Sequence, residues 1–424
     1  MLRHFLSVSV VFAIGVPLAL GVNIVLARWL SIDQFGQYSF AIALATLIAI
    51  PVSGGLPLLL TREVSKSAHA GDATKLGQAV STAVMWVLAA SLVIAALAAA
   101  LIGLLMPERA AYFALALALV PAISLMAVSE GVLKGLGKPA IAEASRQLAV
   151  GPILLAGVLL LSRKFTPEAS NVLVVTLLTY ALVALCTFFL VAVLSPFSLR
   201  SIVAAGDQLR AWAGTLVSFA LISGMATLST QIAVLVLGFL GADEQVAFLR
   251  VAERGAQLVL FPLMFVNALL GPRIVAAHRD GSHGGLRALS RQAARMTLAM
   301  SVPVAIVLLL FGEPLIAMTF GEDYVAGAST PLIILVIGQA ISGVFGSPGM
   351  FLMMSGYEHS SIRAQFGGLS IMTPAVVILG TTLGALGAAI GVTIGLLAIN
   401  LFTSLSVSRD LGFFPGIVGS STGR

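Results

Sequence analysis

Charged residues are scarce in this 424-residue chain: Asp, Glu, Lys and Arg make up 9% of it, whereas hydrophobic residues make up 59%. Water-soluble domains carry about 25% charged residues, so a soluble protein is excluded. The mean hydropathy is +1.08, and apolar stretches of about 20 residues, each sufficient to cross a bilayer, recur throughout the sequence. We therefore predict an all-α polytopic membrane protein.

Metal-binding and redox residues are also few. The single cysteine, Cys186, can form no intramolecular disulfide and no CxxC pair. The histidines fall in segments predicted to be cytoplasmic, at spacings that build no metal-binding helical face: His4, His69, His278, His283 and His359. The segment GVLKGLGKPA has the wrong glycine spacing for a phosphate loop, and Pro139 replaces its Ser or Thr. We predict no metal, no cofactor and no ATPase activity, which leaves a proton or sodium gradient, or the gradient of the substrate itself, as the energy source.

The positive charges do not indicate a nucleic-acid partner. The net charge is +6, but the basic residues are spread over loops and form no compact domain with interleaved aromatics. The loops predicted to lie outside are too short for a catalytic domain. We therefore predict a protein that is not an enzyme, and keep a membrane glycan polymerase or ligase as an alternative from another class.

Hydropathy predicts about twelve transmembrane helices, the first of them uncleaved. The spans are 5–27, 37–60, 79–105, 111–133, 147–162, 171–194, 212–240, 246–271, 296–320, 328–354, 364–381 and 386–407. With the N-terminus inside, the inner segments hold seventeen of the 23 basic residues. The outer segments hold only Arg28, Arg109, Arg163 and Lys164. This bias predicts that both termini are cytoplasmic.

The two halves of the sequence repeat weakly. WLSIDQFGQYSF, after the first span, corresponds to FLGADEQVAFLR, after the seventh. Six crossings return the chain to the same side of the membrane, so the repeats are parallel. We predict two pseudo-symmetric lobes of six helices each, residues 1–200 and residues 201–424, as in transporters with a central cavity.

The eighth span carries the main candidate site. Arg250, Glu253, Arg254 and Gln257 project within an arc of about 100° on one helix face. A charge at the centre of a bilayer costs about 2.5 to 3.5 kcal/mol, so this face is expected to line the protein interior or a watery cavity. Glu253 can neutralise only one arginine, and the remaining positive charge suits an anionic substrate. The alternative is a structural ion pair between Arg250 and Glu253 near the outer end of the helix.

The seventh span carries a second polar stripe. Ser223, Thr227, Thr230 and Gln231 share one helix face. They either line the same cavity, which makes Thr227 and Gln231 candidate substrate ligands, or bond to neighbouring backbone.

Two further patterns have structural interpretations. Glu130 and Lys134 have the spacing of an ordinary helical ion pair. Gly387, Gly391 and Gly395 form a doubled GxxxG pattern, which we interpret as helix packing within the chain rather than dimerisation.

Two blocks of the sequence resemble a known family. LARWLSIDQFGQYSFAIALATLIAIPVSGGLPLLLTREVSK is similar to the first block of Wzx-type polysaccharide-transport flippases. FLRVAERGAQLVLFPLMFVNALLGPRI resembles the block that begins their second half. These flippases belong to the multidrug/oligosaccharidyl-lipid/polysaccharide (MOP) superfamily, whose fold is MATE-like.

The resemblance implies a flippase that moves polyprenyl-pyrophosphate-linked oligosaccharide from the inner to the outer leaflet of the bacterial inner membrane by alternating access. Its partners would be this substrate, membrane lipids and polysaccharide-assembly proteins. Arg250, Arg254 and Gln257 are then candidate substrate ligands, with Thr227 and Gln231, and Glu253 is the candidate group for proton or sodium coupling. The rival within the superfamily is a multidrug antiporter, for which we expect unpaired acids within the N-terminal spans; the sequence has none there.

Overall fold

The computed structural model describes residues 2–105, 110–161, 167–195 and 205–417. These residues form helices and turns and contain no β-strand. The chain divides into two compact units, Met1–Leu228 and Ser229–Arg424. The predicted lobes, residues 1–200 and 201–424, stay a prediction.

The helices of the first unit account for the first six predicted spans. They are α1 Leu2–Trp29, α2 Ile32–Ser53, α3 Leu56–His69, α4 Ala73–Leu105, α5 Ala110–Gly135, α6 Pro139–Ala144, a π-helical turn Ser145–Ala149, α7 Val150–Leu161 and α8 Ala169–Leu194. The helix α9, Ala205–Phe239, contributes residues to both units.

The second unit holds the end of α9 and five further α-helices. They are α10 Asp243–Arg279, α11 His283–Thr319, α12 Val325–Val344, α13 Pro348–Met354 and α14 Glu358–Leu411, with a 3₁₀ turn Glu322–Tyr324 before α12. Nine helical segments of the described residues are long and apolar enough to cross a membrane. The predicted all-α polytopic class is confirmed.

The second predicted span, residues 37–60, is broken in the structure. α2 ends at Ser53, and α3 begins at Leu56 with Pro57 in its first turn. At the break, a Cβ on Gly55 would lie 2.5 Å from the backbone oxygen of Leu216, so only glycine permits this approach. The indole of Trp86 donates to the carbonyl of Val52 at 2.9 Å, which satisfies one of the last backbone oxygens of α2.

The last two predicted spans both lie in α14, which consists of two helical segments separated at Gly384 (φ 60°, ψ −134°). Side chains added at Gly387, Gly391 and Gly395 would collide with residues of the preceding segment, including the Cα of Val376 at 2.7 Å from the Cβ of position 391. The three glycines meet progressively earlier residues, so the two segments pack antiparallel. The interpretation of this pattern as packing within the chain is confirmed.

Candidate functional site

The charged face of the eighth span lies on α10. The acidic residues Asp243 and Glu244 occupy its first turn, where they complement the positive end of the helix dipole. Among the residues flanking the charged side chains, Leu249, Val251 and Ala252 are buried. This packing fixes the rotation of α10 about its axis, and with it the positions of the charged side chains.

Arg250 is held by two partners. Its Nη1 donates to Oε2 of Glu253 at 3.0 Å, and its Nη2 donates to Oε1 of Gln231 on α9 at 3.0 Å. Arg250 is 6% exposed, so the guanidinium is buried and fixed. The ion pair between Arg250 and Glu253 that was the alternative interpretation is therefore present, and Gln231 ties it to a second helix.

Arg254 lies one turn further along α10 in a more accessible position. Its Nη1 donates to Oε1 of Gln257 at 3.0 Å, and Gln257 is exposed while Arg254 is half-buried. The five residues Gln231, Arg250, Glu253, Arg254 and Gln257 are called the α10 polar group below. Two guanidinium groups and one carboxylate leave it with one formal positive charge.

Thr227, the other predicted substrate ligand on α9, bonds to the backbone of its own helix. Its hydroxyl donates to the backbone oxygen of Ser223 at 2.9 Å, the backbone bonding anticipated for this stripe. It belongs to the first unit, whereas Gln231 belongs to the second. Substrate binding by all these residues, and ion coupling through Glu253, stay predictions.

A second charged cluster lies in the first unit. Lys134 Nζ contacts Glu130 Oε1 at 2.5 Å and Glu143 Oε1 at 2.9 Å. Arg146 Nη2 contacts Glu143 Oε2 at 2.9 Å, and its Nε lies 3.7 Å from Glu130 Oε2, which closes a ring of two acids and two bases. We call these four residues the ion ring.

Only the pair of Glu130 and Lys134 in the ion ring was predicted from the sequence. The other half was visible as Glu143 and Arg146 at i,i+3 spacing, immediately after the turn that ends α5. Among the residues that the structure describes, no group of three or more His, Cys, Asp or Glu side chains is arranged to hold a metal.

Solved structures of membrane transporters share this fold. An inward-facing multidrug resistance MATE family transporter of the MOP superfamily has a TM-score of 0.76 at 16% identity, covering 96% of this chain and 97% of that chain. The lipid II flippase MurJ, in an inward closed conformation, has a TM-score of 0.70 at 15% identity, covering 94% and 87%. A MOP superfamily transporter from Pyrococcus furiosus has a TM-score of 0.63 at 16% identity, covering 96% and 95%. The predicted MATE-like fold is confirmed.

The family follows from the sequence itself. No curated protein matches the chain. A family model described as "Polysaccharide biosynthesis protein" matches residues 1–278, about two thirds of the sequence. This polytopic membrane chain therefore belongs to the polysaccharide biosynthesis protein family and has the fold of the MOP superfamily.

Proposed function

We propose that this protein is a flippase that transfers polyprenyl-pyrophosphate-linked oligosaccharide from the inner to the outer leaflet of the bacterial inner membrane, with both termini cytoplasmic. The observation that carries the proposal is the α10 polar group, which keeps an unbalanced positive charge within an apolar chain. Charges inside membrane proteins are costly and mark substrate pathways. Membership of the polysaccharide biosynthesis protein family supports the glycan part of the substrate.

A pyrophosphate fits the chemistry of this group. A guanidinium presents its N–H donors in a planar fork that matches two phosphate oxygens. Arg254 is the more accessible of the two arginines, and it lies beside the exposed amide of Gln257. We assign Arg254 and Gln257 to direct contact with the pyrophosphate, and the fixed guanidinium of Arg250 to the electrostatic field that favours an anion there.

Glu253 provides a route to ion coupling. Its carboxylate competes with an incoming phosphate for the guanidinium of Arg250, which it contacts at 3.0 Å. Protonation of Glu253, or binding of sodium beside it, would weaken that pair and strengthen the hold of Arg250 on the substrate. In this scheme, ion binding at Glu253 and substrate binding at Arg250 favour each other.

The rival within the superfamily is a multidrug antiporter, which the fold match to a multidrug resistance transporter favours. A cationic drug would be repelled by the positive charge that remains on the α10 polar group. Uptake of a cationic dye by proteoliposomes, with no transfer of glycan lipid, would establish the rival instead.

The decisive experiment is a flipping assay with purified protein in proteoliposomes. The probe is a polyprenyl pyrophosphate that carries a fluorescent oligosaccharide, and its transfer is measured by accessibility to a reagent added outside. We expect transfer by the wild type and at least a tenfold slower rate for Arg254→Gln. Arg291→Gln, which removes an exposed arginine from α11, is the matched control and should retain the rate. Equal rates for wild type and Arg254→Gln would refute the cationic site.

A further inference from the structure

A cavity of about 270 Å³ lies within the first unit. It is bounded by α2, α5, α8 and the segment formed by α6 and the π-helical turn. Its volume is close to the lower end of the about 300 to 1,000 Å³ that is typical of small-molecule sites. The α10 polar group, which belongs to the second unit, contributes nothing to it.

Hydroxyl groups dominate the polar lining of this cavity. Four of them donate to the carbonyl one turn earlier in their own helix: Thr46 to Ile42 at 2.7 Å, Ser129 to Leu125 at 3.1 Å, Ser145 to Ile141 at 2.7 Å and Thr187 to Val183 at 2.8 Å. Because a hydroxyl has one proton and two lone pairs, each of these oxygens can still accept a hydrogen bond. The lining therefore calls for a ligand with several hydrogen-bond donors.

The ion ring supplies two charged members to the same lining, Glu130 and Arg146. Arg146 has a side chain that is 52% exposed, and its Nε is 3.7 Å from Glu130, which is beyond hydrogen-bond distance. The ring contains two acids and two bases, so it adds acceptors and donors to the cavity without a net charge. The ring therefore favours neither an anionic nor a cationic ligand electrostatically.

The backbone at this edge of the cavity is unusual. Ser145 and Arg146 both line the cavity and both lie in the π-helical turn Ser145–Ala149. Short π-helical insertions in α-helices are rare and occur frequently at functional sites. The remaining lining combines Tyr180 with apolar residues such as Ile123 and Met126.

We infer that this cavity binds one neutral sugar unit of the transported glycan, an assignment that rests on the proposed function. A sugar offers several hydroxyl donors to the threonine and serine oxygens and to Glu130, and acceptors to Arg146. Its C–H face complements Tyr180, Met126 and the other apolar lining residues. The hydroxyl-rich lining and the zero net charge of the ion ring favour a sugar over a phosphate or a cationic drug.

The test compares lipids with and without a sugar. Binding of polyprenyl pyrophosphate is measured with purified full-length protein, alongside the same lipid carrying one glucose, galactose or N-acetylglucosamine. We expect the wild type to bind at least one glycosylated lipid about tenfold more tightly than the bare lipid. The double variant Thr46→Val/Thr187→Val should lose this preference, since two neutral hydrogen bonds together account for about tenfold.

Matched variants separate binding from folding. Thr403→Val is the control, because Thr403 is buried and bonds to the carbonyl of Ile399 in the same way but lies in the second unit. It should keep the preference for the glycosylated lipid. If the double variant does not fold, the single variant Ser145→Ala provides the test. Its preference for the glycosylated lipid should fall by about threefold, the contribution of a single hydrogen bond.

The outcomes distinguish this inference from the proposed function. Failure of the wild type to bind any of the lipids would overturn the proposed function and the inference with it. Binding of all four lipids with one affinity would overturn the sugar site alone. The sugar site would also be overturned if the folded double variant kept the sugar preference, or if Ser145→Ala kept it where the double variant does not fold. The flippase assignment would then still stand.

Discussion

The α10 polar group and the ion ring both pair basic side chains with glutamate in an apolar protein, but their charges balance differently. The α10 polar group has two guanidinium groups to one carboxylate, and side-chain amides complete its hydrogen bonds. The ion ring has two bases to two acids, and each acid contacts both bases. The charge balance thus distinguishes a group suited to attract an anion from one that neutralises itself.

The two clusters also differ in which of their members are accessible to solvent. In the ion ring the acids are the more buried members and the bases the more exposed, with side-chain exposures of 9% for Glu143 and 52% for Arg146. In the α10 polar group Arg250 is buried, and the accessible members are Arg254 and Gln257. Substitution of an acid is therefore expected to destabilise the ion ring most. In the α10 polar group, substitution of Arg250 is expected to destabilise most.

The largest expected effect is on Arg250. Arg250→Met leaves the Glu253 carboxylate without the guanidinium that pairs with it, and removal of one partner of a buried pair costs about 3 to 5 kcal/mol. We expect the free energy of unfolding in detergent to fall by this amount. The double variant Arg250→Met/Glu253→Leu should recover most of the stability while flipping stays lost.

That double variant separates the two interpretations of the pair. A purely structural ion pair predicts that restored stability restores flipping. Full flipping by a stable double variant would therefore remove Arg250 and Glu253 from the proposed mechanism. Unchanged stability of Arg250→Met alone would show that water or another cation reaches Glu253.

A smaller loss is expected in the ion ring. Glu143→Gln removes an acid that contacts both Lys134 and Arg146, but Glu130 remains to contact the same two bases. A hydrogen bond to a charged group contributes about 1.5 to 3 kcal/mol, and part of it survives through the amide oxygen. We expect destabilisation of about 1 to 2 kcal/mol, measured by the same unfolding experiment. A loss equal to that of Arg250→Met would contradict the view that the balanced ring compensates internally.

The helices could be predicted from the sequence far better than their ends. Because hydropathy is averaged over a window of consecutive residues, it does not distinguish an apolar turn from an apolar helix. The span 328–354 in fact contains α12, a turn in which Ser347 adopts φ 59°, and the short α13. The fifth span begins at Pro139 rather than at residue 147, because Glu143 and Arg146 lower the hydropathy of its first turns.

Within the candidate site, only the contacts between residues of the same helix could be predicted from the sequence. The i,i+3 spacing of Arg250 and Glu253 brought them together, as expected from helical geometry. The contact of Gln231 with Arg250 depends on how α9 and α10 pack, which no pattern within either helix encodes. Likewise, Glu143 and Arg146 reach Lys134 and Glu130 only because a turn containing Gly137 at φ 74° reverses the chain between α5 and α6.

A third variant alters the charge balance on which the comparison rests. Gln257→Glu adds a carboxylate beside Arg254 and brings the α10 polar group to two acids and two bases, the balance of the ion ring. We expect about tenfold weaker binding of bare polyprenyl pyrophosphate, because the added charge repels the anion and occupies Arg254. The control Gln365→Glu places the same charge on α14, where Gln365 bonds to Ser361, and should leave binding unchanged. Equal effects of the two substitutions would indicate a general electrostatic effect rather than a site at Arg254.

The smallest effect concerns a partly exposed charge pair at the start of α4. The backbone N–H of Lys75 donates to Asp72 at 3.0 Å and its ammonium lies 3.1 Å from the same carboxylate, and these bonds lower the pKa of Asp72. A lowered folded-state pKa gives stabilisation that is present above the unfolded pKa and lost as the pH falls through the folded one.

Asp72→Asn keeps a side chain that can cap α4 but removes the charge. We expect a slightly lower melting temperature than wild type at neutral pH, and convergence of the two melting temperatures in acid. The difference should be small because Lys75 is 73% exposed and its charge is screened by solvent. Flipping at neutral pH should not change. If Asp72→Asn slowed flipping as much as Arg254→Gln does, a charge at a helix end would affect flipping as strongly as a charge within α10. That result would contradict the distinction drawn between buried and exposed charge clusters.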